Sequence, residues 1–358
     1  MGADEFDTIR ALFTPLATHP GARGLKDDAA VLELSGATVI TTDAIVEGVH
    51  FLPDDPIATV AMKAVRVNVS DLIAKGARPI GAFLTLIWPN ARPAEELRYF
   101  ADALAGEFES FSISLLGGDT TSTDGPLTVS ITLLGAPLGA RVPSRADAKP
   151  GEDVWLAGGD IGSAWMGLQL RSGAMSLDEL KRERDEAAAQ AESAALEKEM
   201  PDFLRLPGQP FDAEAGWLMS LYLAPMLRTE CAGIVAAVAG ASMDVSDGLL
   251  ADARKLAHAS NVALRIEANA IPFAPPALRW AFSGGDVRKL ISGGDDYVVL
   301  FTAGPERRTT IETFDADGSL RLSRIGQVLA GEGLSIVDRT GAPLPLEGFD
   351  GYKHRLGA

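Results

Sequence analysis

Cysteine is almost absent from this 358-residue chain: Cys231 stands alone, which leaves no internal disulfide framework. Histidine is nearly as scarce, and His19, His50, His258 and His354 lack the spacing of a zinc site. No run approaches the roughly 18 apolar residues that a membrane-spanning helix needs. The N-terminus places Asp4, Glu5, Asp7 and Arg10 where a secretory leader would have a basic segment and an apolar stretch. A soluble, cytoplasmic protein without a membrane partner is expected. Positive charge is in deficit, with 32 Lys and Arg against 49 Asp and Glu for a net charge of -17. A phosphate backbone would be repelled over most of such a surface, so no nucleic-acid partner is expected. Also missing are the P-loop G-x-x-x-x-G-K-[ST], the protein-kinase loops and G-x-S-x-G. Cys231 itself lies in an apolar, Ala-rich stretch that reads as core, so no recognisable nucleophile is left.

The chain has ample material for a core, 47% of it hydrophobic, and its length suits two domains. Residues 29–50 read as strand material broken by Ser35-Gly36, which predicts a hairpin. Val60, Ala64, Val67, Asp71 and Ala74 recur at helical spacing, predicting a helix over 58–76 that Gly76 and Pro79 end. A strand over Phe83–Ile87, a helix over about 94–110 and strands over Ile113–Leu116 and Val129–Leu134 follow. The Gly-, Pro- and Ala-rich stretch Gly135–Gly151 is the expected boundary region. Beyond it lie a strand over Val154–Ala157, a helix over roughly 248–259 after Met243–Asp247, and strand-like runs at Tyr297–Phe301, Arg324–Val328 and Leu334–Val337. Residues 177–200 are charged and Ala-rich with a thin apolar face, which predicts an exposed helical insertion dispensable for chemistry.

Five places put aspartate among apolar residues or at the ends of strand-like runs: Asp27-Asp28, Asp43, Asp71, Asp119, and Asp244 with Asp247. For any one of them a helix cap or turn role stands beside a ligand role, and Asp247 in particular could cap the helix that follows it. Asp71 is the hardest to place structurally, because it falls on the apolar stripe of its helix with no cation expected one turn away on that face. Together they suggest a hard-cation site, since magnesium takes oxygen ligands and is commonly shared between carboxylates and phosphates. Phosphoryl transfer fits such a site, because it needs positioning and charge neutralisation more than covalent chemistry.

Taken in order, several motifs carry a resemblance over nearly the whole chain. They are Lys26-Asp27-Asp28, Thr41-Thr42-Asp43 through Glu47-Gly48-Val49-His50-Phe51, Val67-Asn68-Val69-Ser70-Asp71, Gly117-Gly118-Asp119-Thr120-Thr121, Asp244-Val245-Ser246-Asp247-Gly248, Gly293 to Tyr297 and Gly348-Phe349-Asp350. The series resembles the thiamine-monophosphate kinase family. The resemblance implies an α/β (α+β) fold of the two-domain aminoimidazole-ribonucleotide-synthetase type. Residues 1–138 would form an N-terminal ATP- and magnesium-binding domain whose sheet pairs across a homodimer, and residues 139–358 a C-terminal α/β domain. It implies ATP and Mg2+ as cofactors, thiamine phosphate as acceptor and direct in-line transfer. Carried over by position, Asp28, Thr41, Thr42, Asp43, Asp71, Asp119, Asp244 and Asp247 fall on metal-cluster positions, with Asp43, Asp71, Asp119 and Asp247 the catalytic set. Gly118, Asp119, Arg145 and Ser246 fall on ATP contacts, and His50, Asp295 and Tyr352 on thiamine phosphate contacts. Another ATP-dependent synthetase of the superfamily, or an inactive nucleotide-binding regulator, are the competing readings.

Overall fold

The computed structural model describes residues 5–27, 29–180 and 212–352. The chain divides into two compact units, Met1–Val142 and Pro143–Ala358, with the division inside the Gly- and Pro-rich stretch.

The first unit is built on a four-stranded mixed sheet in the order β1-β4-β2-β3, formed by β1 (Val39–Val46), β2 (Ala77–Pro89), β3 (Ser114–Thr123) and β4 (Thr128–Pro137). β4 runs antiparallel to both β1 and β2, whereas β2 and β3 are parallel and need a crossover. That crossover is helix α2 (Ala94–Ser110), which Pro93 precedes and Glu95 and Glu96 open, as the helix dipole favours. Helix α1 (Ile57–Ala74) joins β1 to β2, and its Val60, Ala64, Val65, Val67 and Leu72 are all buried. Arg66 on α1 grips Glu107 on α2 through two hydrogen bonds, Nε–Oε2 at 2.8 Å and Nη2–Oε1 at 2.7 Å.

The hairpin expected over 29–50 does not form. Only its second half becomes a strand, and β1 pairs with β4 from far along the chain. Val31 instead donates its N–H to the Gly21 carbonyl at 2.9 Å. The side chain of Asn68 accepts the Asp43 N–H at 3.0 Å, on the edge where a hairpin partner would have paired. Local alternation and a Ser-Gly turn cannot reveal such a non-local pairing.

The second unit is built on a six-stranded sheet in the order β10-β7-β9-β5-β8-β6. Its strands are β5 (Asp153–Ala157), β6 (Ser242–Asp244), β7 (Ala263–Glu267), β8 (Val299–Ala303), β9 (Ser323–Leu329) and β10 (Gly333–Val337). Only β7 and β10 are parallel; the other pairs are antiparallel. Every residue of the adjacent strands β5 and β8 is buried, which explains their nearly continuous apolar runs. Helices α3 (Ser163–Arg171), α4 (Ala213–Leu223), α5 (Cys231–Val238) and α6 (Leu249–Ser260) belong to this unit. Leu250 and Leu256 of α6 join Val154, Leu264, Leu300 and Ile325 of the strands in one core cluster. Cys231 is buried, and burial pushes its thiol up to about 12, so it is inert packing. Of the insertion expected over 177–200, Leu177–Leu180 is helical and 181–200 lie outside the described residues.

The Arg66–Glu107 pair ties α1 to α2, and Glu107 is buried. Glu107→Ala should therefore lower stability by about 1.5–3 kcal/mol, the usual worth of hydrogen bonds to a charged group. Urea unfolding followed by circular dichroism measures it, and Glu107→Gln should recover part of the loss.

Candidate active site

In the first unit, β1 carries Thr41, Thr42 and Asp43. Side chains alternate along a strand, so Thr41 and Asp43 share a face and Thr42 takes the other. Thr41 Oγ1 donates to Asp71 Oδ2 on α1, while Thr132 Oγ1 on β4 donates to Thr42 Oγ1 at 3.0 Å. Asp71 is half-buried in the last turn of α1. One turn before it, the fully buried Asn68 holds the Asp43 N–H with Oδ1 and donates from Nδ2 to the Ala64 carbonyl at 3.0 Å. Helical spacing thus sets Asn68 and Asp71 side by side against β1. The expectation of no cation one turn from Asp71 needs correcting, because Lys75 stands four residues on, at the C-cap.

Gly118 and Asp119 lie on β3, after buried Leu115 and Leu116. A side chain at Gly118 would bring its Cβ to 1.9 Å from the Leu84 carbonyl oxygen of β2, so only glycine fits there. Asp119 is exposed, opposite Thr85. β1 and β3 are the two edges of the sheet, with β4 and β2 between them, roughly 14 Å apart by strand spacing. Asp43 and Asp71 therefore sit by one edge and Asp119 at the other. His50 lies in the loop after β1, where its Nδ1 accepts the Val46 N–H at 3.0 Å and its carbonyl accepts from the buried Lys63 ammonium at 2.9 Å. Asp28 lies outside the described residues.

In the second unit, backbone hydrogen bonds draw three of the sequence motifs together. Asp244, buried, ends β6. From there Val245 N–H reaches the Val298 carbonyl at 2.9 Å, Tyr297 N–H the Val245 carbonyl at 2.8 Å, and Asp295 N–H the Ser246 carbonyl at 2.9 Å. Tyr352 N–H donates to the Asp247 carbonyl at 3.1 Å, bringing in the third segment. Gly248 makes the crossing possible: its φ is 101°, and a Cβ there would lie 2.6 Å from the Gly293 carbonyl oxygen. Gly248 also occupies the N-cap of α6, which has no side-chain cap. Asp247 is therefore not the cap. Its Oδ2 accepts from Lys255 Nζ, and the same ammonium reaches Asp252 Oδ1 at 2.7 Å. Arg145 is exposed, with its carbonyl accepting from Ser260 Oγ at 2.7 Å.

The domain descriptions of AIR synthase related proteins match this chain in two pieces, the N-terminal domain over residues 26–136 and the C-terminal domain over residues 149–339. The chain is 36% identical over 339 residues to the thiamine-monophosphate kinase of Caulobacter vibrioides, covering 92% of this chain and 86% of that protein. The chain belongs to the thiamine-monophosphate kinase family. The crystal structure of thiamine-monophosphate kinase from Stenotrophomonas maltophilia K279a is 30% identical, with a TM-score of 0.71 and coverage of 87% of this chain and 89% of that one. The structure of AaThiL complexed with AMPPCP and TMP is 27% identical, with a TM-score of 0.70 and coverage of 98% and 97%. The fold is thus the two-domain AIR synthase type, with two mixed sheets.

Within that family frame, Ser246, Asp247, Asp295 and Tyr352 converge in the second unit, and Thr41, Asp43 and Asp71 in the first. Among the described residues, no three His, Cys, Asp or Glu side chains lie close enough together to hold a metal ion. Reasoning from sequence missed Asp252 and Lys255, and named Asp296 only as a residue that, like Asp295, could bond a backbone N–H. Asp252 was findable, since it falls on the Leu249, Ala253, Leu256 stripe of α6, the same signal that marked Asp71. Of the neighbours Asp295 and Asp296, the latter takes the structural part: both its oxygens accept the Gly162 N–H at the start of α3, at 3.0 and 2.9 Å. Asp295 has a φ of 69°, accepts from the Tyr297 hydroxyl at 3.2 Å and borders a cleft. That cleft is also lined by Asp160, Ser163, Trp217, Arg228 and Arg321. Ser163 Oγ, Trp217 Nε1 and Arg228 Nε are buried there without a hydrogen-bond partner among the described residues.

Burial pushes the Asp296 carboxyl well above the usual carboxylate range, against the N–H groups of Gly162 and Ala164 that favour its charge. The folded state therefore keeps this proton to higher pH than the unfolded chain does. Its stabilising contribution is complete below about pH 4 and is lost as pH rises through the raised value. Asp296→Asn, which stays neutral, should gain melting temperature relative to the parent as pH goes from 5 to 8. Differential scanning fluorimetry across that range measures the gap, and a constant or shrinking gap would count against a buried proton.

Proposed function

We propose that this chain transfers the γ-phosphoryl group of ATP to the phosphate of thiamine phosphate, yielding thiamine diphosphate and ADP, in the cytoplasm. The observation that carries this is the 36% identity to a thiamine-monophosphate kinase over 92% of the chain, with the family's motifs drawn together by named backbone contacts. AaThiL, solved with AMPPCP and TMP, supports an ATP-type donor and this acceptor.

Magnesium fits the residues present. All the donors are oxygens, and the Lys255 ammonium already stands at Asp247 in the place of a cation. Each unit offers carboxylates in ones and twos, which suits an ion that completes its shell with phosphate oxygens and water. Asp28, Thr41, Thr42, Asp43, Asp71 and Asp119 of the first unit and Asp244 and Asp247 of the second would hold several such ions, and when bound these neutralise the phosphate charge. Thr41 orients Asp71, and Asn68 fixes the β1 backbone at Asp43. Gly118, Asp119, Ser246 and Arg145 would bind ATP: Gly118 brings bare backbone to the nucleotide, and the Arg145 guanidinium can clamp a phosphate with two parallel donors. With the buried Cys231 unsuited as a nucleophile, transfer is direct and in line.

His50, Asp295 and Tyr352 would hold thiamine phosphate. Beside Asp295, the buried hydroxyl of Ser163 and N–H groups of Trp217 and Arg228 line the cleft. A heteroaromatic ring that offers nitrogen acceptors and an amino donor complements those groups and the Asp295 carboxylate. We also read the N-terminal sheet as pairing with that of a second copy. β1 and β3 are both edge strands, and exposed Ile40 on β1 is an apolar edge of the kind that seeks a partner.

Incubation with ATP, Mg2+ and thiamine phosphate should release ADP and form thiamine diphosphate in equal amounts, with little ADP when thiamine phosphate is left out. ADP release independent of thiamine phosphate would reject the assignment. Asp295→Ala should lower kcat/KM for thiamine phosphate about ten- to a hundredfold, the worth of a hydrogen bond to a charged group, while KM for ATP changes little. Equal impairment toward both substrates would return Asp295 to a structural role. A chiral γ-thiophosphate analogue of ATP should give inverted phosphorus, whereas retention would reveal a phosphoenzyme.

A further inference from the structure

α6 carries an ion-pair arrangement that neither the motifs nor the family resemblance includes. Asp252 is fully buried, and both its oxygens are engaged: Oδ2 accepts the Asp247 N–H at 2.9 Å and Oδ1 accepts from Lys255 Nζ at 2.7 Å. This carboxylate is therefore fixed. The same ammonium also holds Asp247 Oδ2. Asp247 and Lys255 lie on the wetter side of the group, with side chains 28% and 40% exposed against 0% for Asp252. Two carboxylates thus share one positive charge, and the exposed half of the bridge is the half that can exchange.

We infer that Lys255 is a resident counter-cation for Asp247, holding its carboxylate in position in the metal-free protein and yielding it to a divalent ion while falling back on Asp252. The inference rests on the reading of Asp247 as a metal ligand. A fixed Asp252 gives the displaced ammonium a place to go, so each carboxylate ends with its own cation and no charge is left buried alone. Without Asp252, displacing the lysine would leave it with no ion-pair partner among the described residues. Without Lys255, Asp247 would be held, among the described residues, through its backbone, by its N–H to Asp252 and its carbonyl to Tyr352. Lys255 is thus a positioning residue that also competes with metal, and the competition sets how readily the site fills before nucleotide arrives.

The test is Mn2+ binding to the full chain without nucleotide, measured by titration calorimetry. Lys255→Met should bind Mn2+ about two- to fivefold more tightly than the parent, the range expected when a partly exposed ion pair no longer competes. Arg265→Gln removes one positive charge at an exposed position of β7, on a residue for which no bond to Asp247 is seen among the described residues, and should leave the affinity unchanged. If Lys255→Met fails to fold, the double variant Asp252→Asn, Lys255→Met removes the buried charge together with its partner and should show the same gain. Unchanged or weaker binding in the lysine variants, or an equal gain in Arg265→Gln, overturns the inference while the kinase reading stands. Asp247→Asn should bind Mn2+ more weakly than the parent. If it binds as the parent does, Asp247 is not a metal ligand, and the inference falls with that reading.

Discussion

A carboxylate withdrawn from water must be compensated, and much of this fold is arranged by that requirement. Asp153 at the start of β5 is buried, and Arg308 and Arg324 keep its carboxyl low even though burial works to raise it. Asp296 pairs with no cation among the described residues and instead takes the N–H groups that open α3. Asp252 and Asp247 share Lys255, whose ammonium those hydrogen bonds hold high against the pull of burial. Asp71 takes a threonine hydroxyl. The acids with arginine partners or helix N–H groups are finished structures. Of those with a shared or neutral partner, Asp247 and Asp71 are among the positions the family resemblance assigns to metal, whereas the fully buried Asp252 is not.

The same distinction explains why an acidic protein can bring two anionic phosphates together. Protein donors cannot by themselves offset the repulsion between ATP and thiamine phosphate in a chain of net charge -17. On the proposed function, the aspartates recruit divalent ions that can, because each ion would bring two positive charges to atoms that the reaction moves. Rigid elements hold these carboxylates: β1 and α1 in the first unit, and β6 and the loop before α6 in the second.

Much of this was legible in the sequence where the signal is local. The helix over 94–110 and the strands at Val154–Ala157 and Leu334–Val337 follow from periodicity and turn residues, and they stand where expected within a residue or so. The hairpin over 29–50 failed because β4, not the neighbouring run, completes the pairing of β1. The ordered aspartate motifs gave the family, but not the contacts among them. That Tyr352 meets Asp247, and Asp295 meets Ser246, depends on backbone hydrogen bonds between segments tens of residues apart. The Asp247 cap reading failed because Gly248, at a φ of 101°, takes the cap position itself. Lys255 escaped notice because a lysine eight residues beyond an aspartate looks like an ordinary solvated helix residue until the fold turns the chain back on it.

On the proposed function, the aspartates act by holding charge rather than by holding the fold. The most direct measurement is thiamine phosphate-dependent ADP formation by Asp43→Asn, Asp71→Asn and Asp119→Asn, each checked for native circular dichroism. Removing charge at nearly constant volume should cost several kcal/mol of transition-state stabilisation, on the order of a thousandfold or more in turnover. A folded Asp119→Asn or Asp71→Asn protein with near-normal turnover would contradict it.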